Sequence, residues 1–175
     1  MTKEDGDEGF RDSLGGQKFS YAQAHSIALG VLELLRPHCI RVEIAGSIRR
    51  KKSEVKDIEI VAIPKPYETG LARVVNQWVK VKGEIPCKYT QRILPQGIKL
   101  DLFFAMEENW GHIFAIRTGS ANYSHLVLAK GWVRAGYKSV DGYLTKEGER
   151  YEVREERDLF RMIGIPYAEP EDRNL

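Results

Sequence analysis

The chain has 175 residues, of which 42% are hydrophobic and 30% charged, the balance of a globular protein rather than a disordered or fibrous one. Its 27 Lys and Arg residues against 25 Asp and Glu residues give a formal charge of +2, which excludes a strongly basic field, so any nucleic-acid contact must use a local cluster of cations. The two cysteines and the lack of a run of about 18 apolar residues exclude a disulfide framework and a transmembrane helix, and predict an intracellular, cytoplasmic protein without a membrane partner.

The first predicted elements follow a polar N-terminal stretch. Residues 1–18 are rich in Asp, Glu and Gly and are predicted to form a flexible tail. A helical stripe of apolar residues over 24–35, preceded by the capping residue Ser20 and followed by Pro37, predicts an amphipathic helix. Residues 41–45 then alternate as a strand and lead into a Gly-Ser turn.

The next predicted strand, over residues 57–63, carries two acids spaced two apart. Side chains at i and i+2 of a strand share a face, so Asp57 and Glu59 project together while Ile58 and Ile60 enter the core. Two carboxylates on one face repel each other unless a cation lies between them. A divalent metal ion with oxygen ligands is the simplest candidate.

A helical stripe over residues 71–79 separates this strand from a predicted hairpin with strands over 86–94 and 98–105. Asp101 lies in the middle of the second strand, on the face opposite to the leucines of that strand. Burial of an aspartate there is costly unless it is paired or metal-bound. Asp101 is therefore the third candidate acid.

The pattern changes after residue 107, which indicates a second subdomain. The predicted elements there are helices over residues 110–116 and 123–135, a hairpin with a type I′ turn at residues 141–142, a third strand near residue 151 and a helix around residues 159–163.

Three acids on neighbouring strands, a Gly-Ser turn and an arginine together suit a two-metal displacement at phosphorus. In such sites metal ions about 3.5–4 Å apart stabilise both the attacking and the leaving oxygen. Gly46, Ser47 and Arg50 provide phosphate contacts. Catalysis would then depend on positioning and charge stabilisation rather than on a protein nucleophile.

The order of these elements and three short motifs resemble the DNA polymerase beta superfamily, family X. The motifs are Gly46-Ser47-Ile48-Arg49-Arg50, close to the family's G-S-x-R-R; Ile116-Arg117-Thr118-Gly119-Ser120, at the place of an aromatic-aromatic-T-G-S segment; and Glu169-Pro170-Glu171-Asp172-Arg173, close to a terminal E-P-x-D-R. The resemblance implies an α+β fold. A nucleotidyltransferase palm over residues 19–107, a mixed sheet with helices on one side, would precede a thumb-like C-terminal subdomain over residues 108–175 with a three-stranded antiparallel sheet.

The resemblance also implies a role for each candidate residue. The catalytic acids, which would hold two Mg²⁺ or Mn²⁺ ions, are Asp57, Glu59 and Asp101. The nucleotide-binding residues are Gly46, Ser47, Arg50, Arg117, Gly119 and Ser120, with a cis peptide bond expected at Gly119. The DNA-binding residues are Lys99, which would contact the primer-terminal phosphate, and the basic cluster Arg49, Lys51 and Lys52.

The chain departs from the family pattern at three places. Glu59 replaces the second aspartate of the metal pair, Ile116 and Arg117 replace the aromatic pair near the sugar, and Leu128 lies about where the family has an arginine in the minor groove. These departures put deoxynucleotide selection and template checking in question.

The predicted function is a DNA polymerase that transfers a nucleotide from a nucleoside triphosphate to a primer 3′-hydroxyl, filling short gaps in DNA repair. We expect a monomer that acts on gapped or primed DNA. Two alternatives stay open at this stage: a template-independent nucleotidyltransferase acting on DNA, RNA or another hydroxyl acceptor, and a catalytically weak module that binds DNA ends.

Overall fold

A computed structural model describes residues 17–175, so all but the last two residues of the predicted tail lie outside the described residues. The helices are α1 (Tyr21–Leu35), α2 (Gly46–Arg49), α3 (Gly70–Val75), α4 (Trp110–Thr118), α5 (residues 121–134) and α6 (Glu156–Met162). The strands are β1 (Phe19–Ser20), β2 (Cys39–Ile44), β3 (Glu54–Val55), β4 (Asp57–Pro64), β5 (Val79–Lys82), β6 (Tyr89–Ile93), β7 (Lys99–Phe104), β8 (Lys138–Val140), β9 (Tyr143–Lys146) and β10 (Glu149–Tyr151). No helix in residues 17–175 has the length and apolar character needed to cross a bilayer.

Helix α1 begins where the sequence predicts. The Ser20 hydroxyl accepts a hydrogen bond from the Gln23 backbone N–H, and the Gln23 side chain accepts one from the Ser20 N–H. This capping box satisfies two donors that would otherwise lack partners. Most of the apolar stripe of α1 is buried, although Leu34 is exposed, and a short 3₁₀ turn containing Pro37 follows Leu35.

The palm contains a five-stranded mixed sheet in the order β2-β4-β7-β6-β5, in which only β4 and β7 run parallel. One face of the sheet, represented by Ile60 and Leu102, packs against α1 and α3 in the main core. The other face carries the acids, and beyond them Val61 and Phe103 pack against α4. The predicted palm architecture, with its own helices on one side, is confirmed.

The prediction of one helix over residues 71–79 is wrong at its C-terminal end. Helix α3 ends at Val75, Trp78 is buried after it, and residues 79–82 form the edge strand β5. The Val-Lys-Val-Lys alternation of β5 has the period of two that a strand requires, and its backbone pairs with β6. The buried Arg92 guanidinium donates to the carbonyls of Trp78 and Gly83, which anchors the chain on both sides of β5. Tertiary pairing therefore overrides the local helical pattern.

The C-terminal subdomain has the three-stranded antiparallel sheet that was predicted, in the order β10-β9-β8. Asp141 and Gly142 both have positive φ, 53° and 82°, which confirms the type I′ turn. A second turn of the same kind, at Glu147 and Gly148, was not predicted. Helix α6 and α5 pack on this sheet around Leu128, Leu144 and Phe160.

Helix α5 differs from its prediction in its beginning and in its centre. It begins at Ala121, after Ser120 accepts a hydrogen bond from the Tyr123 N–H, and residues Ser124–Ala129 form a π-helical segment. The only cis peptide bond among residues 17–175 precedes Pro86, so the cis bond expected at Gly119 is not found.

Candidate active site

The three acids lie on the same face of two adjacent strands. In the parallel register of β4 and β7, Asp57 pairs with Lys99 and Glu59 pairs with Asp101. Side chains of directly paired residues point to the same face, so the two acids of β4 and the acid of β7 lie beside one another as predicted. Asp101 is 7% exposed, so its charge is withdrawn from water.

Burial and mutual repulsion disfavour the charged state of the two β4 acids. Burial, with the charges of Asp57 and Asp101, raises the pKa of Glu59 to about 7, against the opposing effect of Arg50 and Arg117. Burial and the charge of Asp101 also raise the pKa of Asp57, although Lys99 opposes this. Both acids therefore hold their protons more strongly than exposed carboxyl groups do, and a cation among them would favour their charged state.

Asp101 is held by two residues that sequence analysis missed. The Tyr89 hydroxyl and the Gln91 side-chain amide, at 2.8 Å, both donate to Oδ1 of Asp101. Both donors lie on β6, whose antiparallel register with β7 places Gln91 directly opposite Asp101. The period of two along β6 could have indicated these partners, because Tyr89 and Gln91 share one face of the strand and Gln91 pairs with Asp101.

Gly46 permits the close approach of Glu59. A Cβ atom on Gly46 would lie 1.8 Å from Oε2 of Glu59, and Gly46 has a φ of +61°, a conformation that residues with side chains rarely adopt. In the structure, the predicted turn at Gly46 and Ser47 forms the start of the short helix α2. Only glycine accommodates both the backbone conformation and the carboxylate.

A cleft of about 510 Å³ separates the acids from the C-terminal subdomain. On the palm side it is lined by Ser47, Arg50, Asp57 and Glu59, and on the opposite side by residues of α4 and α5 that include Arg117, Gly119 and Ser120. Most of the predicted nucleotide-binding residues therefore lie around one cavity with two of the acids. Asp101, on the adjacent strand β7, does not line this cleft.

Two of the predicted nucleotide-binding residues already have hydrogen-bond partners in the C-terminal subdomain. Arg50 donates to the Thr118 carbonyl oxygen and to the Asn174 side chain, each at 2.8 Å. Ser120 Oγ accepts from the Leu175 N–H at 3.1 Å. A triphosphate that uses Arg50 or Ser120 must share or replace these contacts.

Arg49 lies elsewhere than the sequence analysis expected. Its guanidinium forms a bidentate ion pair with Glu156 at 2.6 and 2.9 Å, donates to Thr118 Oγ1, and lies 3.9 Å from the centroid of the Phe114 ring. These contacts commit Arg49 to the interior between the two subdomains, so its assignment as a DNA contact is corrected. The other basic candidates remain accessible, with Lys51 in an exposed pair with Glu171.

Glu156 was also missed by sequence analysis, although all three family-like motifs meet at it. It accepts hydrogen bonds from Arg49 of the first motif and from the fully buried Arg173 of the third. Thr118 of the second motif accepts a hydrogen bond from the same Arg49 guanidinium. The two arginines hold the pKa of Glu156 below its usual value, although burial acts in the opposite direction. The motif residues thus assemble an ion-pair network as well as a cleft.

The donor chemistry of the acid cluster fits Mg²⁺, because it consists of the hard carboxylate oxygens of neighbouring acids on one face of the sheet. Their placement is not that of an assembled ligand set. Within residues 17–175, no three His, Cys, Asp or Glu side chains converge closely enough to ligate a single ion. The structure therefore supports a cation-attracting cluster and does not define a metal centre by geometry alone.

Comparison with known proteins supports the fold. The family model of the DNA polymerase beta thumb matches residues 116–174. The fold is similar to that of the Leishmania infantum polymerase beta crystal structure, described as a ternary gap complex, with a TM-score of 0.75, 17% sequence identity, and coverage of 92% of this chain and 72% of that one. A search of curated protein sequences found no match.

The two matches therefore show that residues 116–174 resemble a DNA polymerase beta thumb and that the chain has an α+β fold similar to that of polymerase beta.

Proposed function

We propose that this protein is a metal-dependent nucleotidyltransferase of the family X DNA polymerase type, which adds nucleotides to a primer 3′-hydroxyl and fills short gaps in DNA repair as a monomer. The observation that carries the proposal is the β4–β7 register, which places Asp57, Glu59 and Asp101 on one face, beside the cleft that Ser47 and Arg50 line.

In this proposal the three acids hold two Mg²⁺ or Mn²⁺ ions, which supply stabilisation of the charge that develops on the attacking and leaving oxygens. Ser47 and Arg50 bind the triphosphate of the incoming nucleotide, and Gly119 and Ser120 border its sugar. Lys99, paired with Asp57 in the sheet, contacts the primer-terminal phosphate, and the exposed residues 51 and 52 contact the DNA backbone.

The test is primer extension on a one-nucleotide gap with Mg²⁺ or Mn²⁺. Asp57→Asn and Asp101→Asn each remove one negative charge at constant side-chain size, and we expect each to lower the rate by on the order of a hundredfold or more, the scale of losing one electrostatic contact to a transition state. Glu33→Gln, on the exposed side of α1, is the matched control and should retain the wild-type rate. Full activity in both aspartate variants contradicts the proposal.

A second candidate, a transferase that does not copy a template, is favoured by one observation. Leu128, near the place where the family has its minor-groove arginine, is completely buried in the core of the C-terminal subdomain and presents no polar group to a base pair. Incorporation should be measured opposite each of the four template bases and on unprimed single strands, with deoxy- and ribonucleotides. Equal incorporation whatever the template favours this candidate over a templated polymerase.

A further inference from the structure

The hydrogen bonds to Asp101 are unequally divided between its two oxygens. Within residues 17–175, both side-chain hydrogen bonds to this carboxylate, from Tyr89 and from Gln91, end on Oδ1. An ionised carboxylate has about four lone-pair sites, two on each oxygen. The two donors therefore occupy Oδ1 and leave Oδ2 as the oxygen that can bind a cation.

The Tyr89 donor is itself held by packing. Its ring stacks on Phe103 with a centroid separation of 4.8 Å and an interplanar angle of 21°. The Arg117 guanidinium of α4 lies 4.1 Å from the centroid of the same Phe103 ring. Because packing holds the Tyr89 ring in place, the Tyr89 hydroxyl can hold the Asp101 carboxylate in one orientation.

We propose that Tyr89 and Gln91 are positioning residues for Asp101, which orient its carboxylate so that Oδ2 binds a divalent cation at the acid cluster. Hydrogen-bonding partners of metal-ligating carboxylates commonly have this effect, and their loss typically weakens metal binding by about 10- to 100-fold. The inference rests on the proposed metal-dependent function. It means that β6 contributes none of the three acids but holds one of them, Asp101, in position.

The experiment measures binding of Mn²⁺ alone to the full chain by isothermal titration calorimetry, with neither nucleotide nor DNA present. Tyr89→Phe removes only the hydroxyl and keeps the ring on Phe103, and Gln91→Met removes the amide at similar volume. We expect each to weaken Mn²⁺ binding by about tenfold or more. Tyr151→Phe, the same change at an exposed residue of β10, should leave the affinity unchanged. Melting in the presence of a chelator checks that each variant is folded.

A double-mutant cycle with Asp101→Asn separates positioning from a general structural effect. If Tyr89 acts through Asp101, Tyr89→Phe should cause little further loss of Mn²⁺ affinity in the Asp101→Asn background. In extension assays the Mn²⁺ concentration for half-maximal rate should rise by the same factor as the binding constant, with little change in the nucleotide KM.

Unchanged Mn²⁺ affinity in Tyr89→Phe and Gln91→Met overturns the inference. An equal loss of affinity on Tyr89→Phe in the wild-type and Asp101→Asn backgrounds also overturns it, as does a wild-type protein that binds no Mn²⁺. Mn²⁺ binding that depends on Tyr89 in a protein that cannot extend primers refutes the proposed function alone. Normal extension with Tyr89-independent Mn²⁺ binding refutes only the positioning role.

Discussion

At the scale of single residues, Glu59 is the most unusual member of the acid cluster. Its side chain is one methylene longer than that of Asp57, and the structure accommodates this length beneath the backbone of Gly46. The same enclosure removes the carboxylate from water, so Glu59 holds its proton more tightly in the folded protein than in the unfolded chain.

The pH dependence of stability should therefore have the opposite sign to that of an ordinary salt-bridged acid. The pKa of Glu59 is about 7 in the folded protein, against 4.5 as its ordinary value. Between these two pH values the folded state binds a proton that the unfolded state has lost, so the contribution of Glu59 to stability is complete below pH 4.5 and declines as the pH rises through 7.

Glu59→Gln removes this titration. Its free energy of unfolding, measured in urea without metal, should increase relative to wild type by about 1–3 kcal/mol between pH 5 and pH 8. Glu33→Gln, on the surface of α1, serves as the comparison. A difference between Glu59→Gln and wild type that is the same at both pH values would show that the folded protein does not raise this pKa.

At the scale of secondary-structure elements, the connection from β2 into α2 determines where Glu59 can lie. Gly46 begins α2 with a positive φ, and the Glu59 carbonyl oxygen accepts a hydrogen bond from the adjacent Ala45 N–H at 2.8 Å. Strand β4 is therefore bonded directly to the turn that precedes Ser47. The turn for which phosphate binding is proposed and the acid-bearing strand therefore form one local unit.

Gly46→Ala should disturb this unit in two ways. An alanine at positive φ costs about 1–2 kcal/mol, and its Cβ must displace the Glu59 carboxylate. Gly97→Ala is the matched control, because Gly97 also has a positive φ, +87°, but has no atom within 4 Å of the added Cβ. We expect Gly46→Ala to lower the free energy of unfolding by about 1–3 kcal/mol more than Gly97→Ala, the usual cost of overpacking. Equal losses in the two variants would mean that Glu59 moves away at no cost.

At the scale of the whole molecule, Glu156 joins the palm to the thumb. It lies between Arg49 of α2 and Arg173 near the C-terminus, and its side chain is 8% exposed. Removal of one member of a buried ion-pair network leaves charges without partners, which typically costs about 3–5 kcal/mol. The neighbouring Glu155 pairs with Arg41 of β2 at 2.7 Å, but its side chain is 59% exposed.

These two adjacent glutamates form a natural pair of variants. Glu156→Ala should lower the free energy of unfolding by about 3–5 kcal/mol and uncouple the melting of the two subdomains. Glu155→Ala should cost about 1 kcal/mol or less, because water screens an exposed pair. Urea denaturation followed by tryptophan fluorescence measures both. Similar small losses would show that Arg49 and Arg173 do not hold the subdomains together.

Sequence patterns predicted the elements that depend on local rules and failed where a distant partner decides the outcome. The capping box at Ser20 and the type I′ turn at Asp141 each follow from residues within a few positions of one another. Strand β5 was missed because its identity depends on pairing with β6. Arg49 was misassigned because its partner, Glu156, lies 107 residues further along the chain.

The sequence by itself determined that Asp57 and Glu59 share a face and that Asp101 lies on the equivalent face of its own strand, because the period of two is a property of the extended backbone. Only the tertiary structure decided that β4 and β7 are parallel neighbours, which brings the three acids together, and that Tyr89 and Gln91 hold Asp101. The register between strands and the partners of buried charges depend on how separate elements pack, and no local pattern contains that information.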